Sequence, residues 1–133
     1  YGDGLSNVNI DKLIESHKKS KSLVTLTAVQ PPGRFGSLEI DNNFVKRFIE
    51  KPKGDNSRIN GGFFVVNSRA LDLIEGDDSS WEFDILPKLS ERNELNSYPH
   101  DGFWKPMDTL RDKIQLEEIH NNGISPWLYK NND

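Results

Sequence analysis

The sequence contains no cysteine and only one methionine in 133 residues. Without cysteine there is no disulfide framework and no thiolate metal site, and a cytoplasmic protein is the expectation. No apolar run approaches the roughly 20 residues that a membrane-spanning helix needs, and the opening YGDGLSN is unlike a basic, then apolar, signal segment. No membrane partner is expected. Positive charge is also in short supply, since 17 Lys and Arg stand against 21 Asp and Glu for a net charge of -4, with the cations dispersed. Nucleic-acid binders usually need a basic stripe to displace phosphate counterions, so no nucleic-acid partner is expected either. The hydrophobic fraction of 34% lies below the roughly 45–50% usual for a self-sufficient globule. Together with a start at Tyr1-Gly2-Asp3-Gly4, which lacks an initiating methionine, this leads us to expect a fragment of a larger domain that self-associates through uncovered apolar edges.

Several chemistries are missing as well. There is no Gly-x-Ser-x-Gly and no defensible Ser/His/Asp order, so nucleophilic catalysis has no support. His17, His100 and His120 share no metal-ligand spacing, and there is no internal repeat or low-complexity block.

What is present alternates between strand and helix patterns. Asn9 or Asp11 can cap a helix through Ile10, Leu13 and Ile14 that ends among His17, Lys18 and Lys19. Leu23 to Val29 is a β-branched run that stops at Pro31-Pro32, and Gly33 to Gly36 forms a loop. Ser37 to Ile40 and Phe44 to Ile49 flank Asp41-Asn42-Asn43 as a hairpin. Phe63 to Val66 reads as a short strand, and Ser68 as the cap of a helix that stops at Gly76. Phe83 to Glu91 has a helical stripe weakened by Pro87, and Asn93 to Tyr98 reads as an edge strand. Pro99 to Pro106 reads as a loop, and Asp108 or Thr109 caps a last helix through Leu110, Ile114, Leu116 and Ile119. The alternation is that of an α/β protein, in which ligands collect beyond the carboxyl ends of strands.

The most site-like stretch runs from Phe48 to Asn67. Pro52 ends a strand and Lys53 to Asn60 is turn chemistry, so Glu50 and Lys51 sit where a strand ends and a loop opens. Asn60-Gly61-Gly62 then supplies backbone that a ligand can approach closely. The same residues also fit a long charged hairpin with no site in it. Asp3 and Asp108 lie in Gly- or Pro-flanked loops, and two carboxylates suit a hard cation whose shell is completed by phosphate oxygens and water. Aspartates in turns are also common caps and turn formers. Trp104, a lone tryptophan in a loop, reads more readily as cover for a core edge than as a ligand wall.

Four motifs then carry a resemblance. PPGRFG at Pro31 to Gly36, EKPKGD at Glu50 to Asp55, INGGFFV at Ile59 to Val65 and GFWKPMDTLRDK at Gly102 to Lys113 closely resemble the sugar-phosphate nucleotidylyltransferases, and YGDG at the start matches too. PPGRFG and GFWKPMDTLRDK are the narrower signals, selecting the branch that acts on CTP and glucose 1-phosphate. The resemblance covers essentially the whole chain, in order. It implies that residues 1–133 are the C-terminal, sugar-phosphate-binding half of a single Rossmann-like, mixed-sheet α/β nucleotidylyltransferase domain. The GGxGTR-type loop with which that family cradles the triphosphate is not in this sequence, so the chain alone is expected to be inactive.

By resemblance, Asp3 and Asp108 look like ligands of Mg²⁺, the implied cofactor. Glu50 looks like the carboxylate that holds sugar hydroxyls, and Lys51 like the catalytic cation on the sugar phosphate. Gly36, Asn60, Gly61 and Trp104 look like further walls of the sugar site. The implied partners are CTP and glucose 1-phosphate as substrates, with a homo-oligomer expected. Two rivals come from other classes. One is a non-catalytic sugar-phosphate-binding or oligomerisation module, and the other a magnesium-dependent phosphohydrolase built on the two aspartates.

Overall fold

A computed structural model describes residues 2–31, 37–49 and 58–128. Its centre is β2 (Val24–Val29), the β-branched run, which is buried at five of its six positions. Strand β7 (Leu95–His100) pairs with β2 in parallel along its full length, from Val24↔Leu95 to Val29↔His100. The other edge of β2 is met antiparallel by two short pieces, β5 (Ile59–Asn60) at Val29↔Ile59 and β6 (Val65–Val66) at Val24↔Val66. The result is a mixed sheet, as the resemblance implies.

The four residues between β5 and β6 bulge while keeping two ladder bonds, Gly61 N–H to the Thr27 carbonyl at 2.8 Å and Thr27 N–H to the Gly62 carbonyl at 3.1 Å. Gly62 and Phe63 both have positive φ, 75° and 48°. The expected strand from Phe63 therefore shrinks to Val65–Val66, because a left-handed Phe63 cannot continue a pleat.

Successive β2 side chains alternate between faces, and each face has its own cover. On one, Val24 packs with Ala70, Ile85, Leu86 and Leu89, and Phe64 and Trp81 meet edge to face at their margin. On the other, the buried Thr25 hydroxyl meets Nδ1 of His17 at 2.9 Å and accepts from Asn96 Nδ2 at 3.2 Å. His17 belongs to helix α1 (Ile10–Ser20), capped by Asn9 rather than Asp11 through a 3.1 Å bond from Lys12 N–H.

The middle helices depart from expectation. Ser68–Leu73 is a 3-10 helix rather than an α-helix, and Asn67, not Ser68, caps it by accepting from Arg69 N–H. The next helix begins earlier than Phe83, with a π-helical turn at Trp81–Ile85 capped by Ser80, before α2 (Leu86–Glu91). Pro87 stands in the first turn of α2, where a missing N–H costs little, so it starts a helix rather than weakening one.

Two further pairs complete the described residues. Strands β3 (Ser37–Asp41) and β4 (Phe44–Ile49) form the expected hairpin. Strands β1 (Gly4–Ser6) and β8 (Trp104–Pro106) pair antiparallel, so part of the expected loop from Pro99 to Pro106 is strand. Helix α3 (Leu110–Asn121) follows, capped by Thr109 in a reciprocal box with Asp112. Among the described residues no helix is long and apolar enough to cross a membrane.

Candidate functional site

The β1–β8 ladder is what builds the site. Its register sets Gly4 opposite Pro106 and Ser6 opposite Trp104, and the Met107 N–H donates to the Asp3 carbonyl at 2.7 Å. Asp3 just before β1 and Asp108 just after β8 therefore lie at the same end of the ladder, although 105 positions separate them in sequence.

Both line a cleft of about 640 Å³ whose other walls include Asn60, Gly61, Phe63, Trp104, Lys105 and Asp112. Five of the residues singled out in the sequence, Asp3, Asn60, Gly61, Trp104 and Asp108, are thus gathered in one place. Gly36, Glu50 and Lys51 lie outside the described residues.

Trp104 is half-buried, and its indole N–H donates to the Gly61 carbonyl at 2.8 Å. The side chain thus ties two walls of the cleft together while lining it. Gly61 has a steric reason within the fold to be glycine. A Cβ there would stand 2.8 Å from Val29 Cγ1 and 3.1 Å from the Thr27 carbonyl, so it would strike β2. Asn60 turns its side-chain oxygen to the Gly62 N–H at 3.0 Å, which stabilises the bulge.

Two cleft residues escaped the sequence reading. Lys105 donates to Gln115 Oε1 at 2.8 Å and stands 3.6 Å from Asp112 Oδ1, with both charged side chains less than one-fifth exposed. The other Asp112 oxygen, Oδ2, accepts from the Thr109 hydroxyl at 2.8 Å and the Thr109 N–H at 3.0 Å. The Thr109 hydroxyl bond holds the Asp112 carboxyl below its ordinary range, with Lys105 adding to the shift. Thr-x-x-Asp before an apolar run is a legible capping signal, whereas nothing local marks Lys105.

The histidines have structural partners. Nε2 of the buried His100 lies 3.2 Å from Ser6 Oγ and 3.1 Å from the Phe103 carbonyl, which fastens the end of β7 to β1. His120 meets Ser125 at 2.9 Å and stacks on Trp127.

The oxygen chemistry of Asp3 and Asp108 fits a hard divalent cation. Among the described residues, no three His, Asp or Glu side chains converge on one point. A cation held by the two aspartates would thus keep water or phosphate oxygens in its remaining positions, as magnesium commonly does.

The fold is thus a mixed-sheet α/β one in which Asp3 and Asp108 share a cleft. Residues 1–119 match the nucleotidyl transferase family, and the chain belongs to that family. It is 50% identical over 127 residues to glucose-1-phosphate cytidylyltransferase of Salmonella typhi, an alignment that takes in 96% of this chain and 49% of that protein. Mannose-1-phosphate guanyltransferase of Saccharomyces cerevisiae is 31% identical over 120 residues, covering 86% of this chain and 33% of that one. The chain thus spans about half the length of the Salmonella relative. Among solved structures, HddC from Yersinia pseudotuberculosis superposes with a TM-score of 0.60 at 24% identity, over 90% of this chain and 52% of that one, which shows the shared fold.

Proposed function

We propose that this chain is the sugar-phosphate-binding half of a single-domain enzyme that transfers a cytidylyl group from CTP to glucose 1-phosphate, giving CDP-glucose and pyrophosphate. The observation that carries the reading is the meeting of Asp3 and Asp108 in one cleft with Asn60, Gly61 and Trp104. The likeness to the Salmonella cytidylyltransferase supports the choice of nucleotide and sugar.

In this reading Asp3 and Asp108 would hold Mg²⁺, which supplies charge neutralisation for the transferring phosphoryl group. Lys51 sets its ammonium against the sugar phosphate as the catalytic cation, and Glu50 accepts from sugar hydroxyls. Gly36, Asn60 and Gly61 approach the sugar with backbone or a small amide, and Trp104 closes the wall. The phosphate of glucose 1-phosphate attacks the α-phosphorus of CTP in line, the bond to pyrophosphate breaks, and no covalent enzyme intermediate forms. Catalysis is then a matter of positioning and of neutralising charge. We take the enzyme to be cytoplasmic, to serve polysaccharide biosynthesis and to work as a homo-oligomer.

The test is kinetic, on the whole protein that carries this chain. Lys51→Met keeps the stem and removes the charge, and losing a charged hydrogen bond to phosphate costs about 1.5–3 kcal/mol. That corresponds to roughly tenfold to a few hundredfold in kcat/KM for glucose 1-phosphate at saturating CTP. An unchanged value would take Lys51 out of the site, and failure to form CDP-glucose at all would overturn the assignment.

A further inference from the structure

The loop that carries Asp108 is only three residues long, Met107 to Thr109, and is held redundantly. Met107 N–H is bonded to the Asp3 carbonyl, and the Thr109–Asp112 box closes the start of α3. Lys105, which precedes the loop, reaches over it to Gln115 and, loosely, to Asp112. At 3.6 Å the contact with Asp112 adds little to a loop already tied by shorter bonds. Lys105 contributes something that none of the other ties contributes, namely positive charge. Among the described residues it is one ammonium among three carboxylates, those of Asp3, Asp108 and Asp112, that line the same cleft.

We infer that Lys105 sets how strongly this cleft holds a divalent cation, keeping the affinity low by opposing the cation's charge. The inference rests on the metal reading proposed above. It has a functional consequence, because a cleft that binds the bare cation weakly takes it up together with a nucleoside triphosphate, whose oxygens supply the missing negative charge.

Electron paramagnetic resonance of Mn²⁺ titrated into the protein at low ionic strength, with no nucleotide present, reads this affinity directly. Lys105→Met, which keeps the length and loses the charge, is expected to bind Mn²⁺ about three- to tenfold more tightly, the range that Coulomb's law gives for charges several ångströms apart in a wet cleft. The gain should shrink as salt is raised to about 0.15 M. Lys105→Arg keeps the charge and should restore wild-type affinity, a rescue that a purely structural role does not require. Lys105→Gln also loses the charge and should likewise bind more tightly; it decides the question if a thermal melt shows Lys105→Met to be poorly folded.

Equal or weaker binding by a folded Lys105→Met overturns the inference. If Asp3→Asn and Asp108→Asn abolish Mn²⁺ binding in that same experiment, the metal reading stands without it. If those two changes leave binding untouched, in wild type and in Lys105→Met alike, both readings fall together.

Discussion

The indole nitrogen of Trp104 donates a 2.8 Å hydrogen bond to the carbonyl of Gly61, joining the β1–β8 ladder to the bulge on the edge of β2. It is a direct polar tie between the two walls of the cleft, one bearing the acidic residues and the other the Asn60-Gly61 backbone. Trp104→Phe keeps much of the ring area and leaves that carbonyl without the indole donor. A net loss of about 1 kcal/mol is expected, seen as a Tm lower by about 3–5 °C in calorimetry for a domain of this size. If Tm is unchanged, the bond does not hold the walls together.

Gly61 admits no side chain without movement of β2. Gly61→Ala would set its Cβ 2.8 Å from Val29 Cγ1 and 3.1 Å from a backbone carbonyl, and the Val29 methyls are stiff. Overpacking of this kind costs about 1–3 kcal/mol. The double change Gly61→Ala with Val29→Ala relieves the methyl contact but not the carbonyl one. Urea titration should therefore show partial recovery relative to the sum of the two single effects.

Arg58 stitches both neighbours of the central ladder to its carboxyl end. Its guanidinium donates to the carbonyls of Ala28 at 3.1 Å and His100 at 3.4 Å, and to Asp101 Oδ1 at 2.8 Å. The Asp101 carboxylate is largely exposed, so the ion pair itself adds little. Both carbonyl bonds come from Nη1 and the Asp101 bond from Nη2, an arrangement that a shorter lysine with a single nitrogen cannot reproduce in full, so Arg58→Lys should recover only part of the roughly 1–2 kcal/mol lost in Arg58→Ala. Denaturant midpoints of the two variants, compared at equal slope, check this.

Acidification should loosen the start of α3. The Thr109 hydroxyl bond lowers the Asp112 carboxyl below its ordinary value of 3.8. A carboxylate lowered on folding stabilises the protein above its unfolded pKa, and that stabilisation is lost as pH falls through the lower folded value. The contribution should therefore be complete at pH 5 and above and decline below about pH 4. Tm measured from pH 6 downward should fall less steeply in Asp112→Asn than in wild type; parallel curves would contradict the assignment.

Much of this molecule is determined within three or four residues of sequence. Thr109 and Asp112 close their box because the spacing of one helical turn puts each side chain beside the other's backbone, and Asn9 caps α1 for the same reason. Asn42 and Asn43 make the hairpin because both tolerate positive φ, here 47° and 68°. The β-branched run of β2 marks the buried strand. The family motifs were legible too, since they are local strings. The tertiary structure decided which distant strings meet. Nothing in Gly4 to Ser6 specifies Trp104 to Pro106 as its partner, because strand pairing is settled by competition among edges once the chain has closed its loops. That one pairing turns two ordinary turn aspartates into neighbours. It also brings Lys105 into their cleft and sets the indole of Trp104 on Gly61, while the pairing of β5 with β2 leaves no room for a side chain at Gly61.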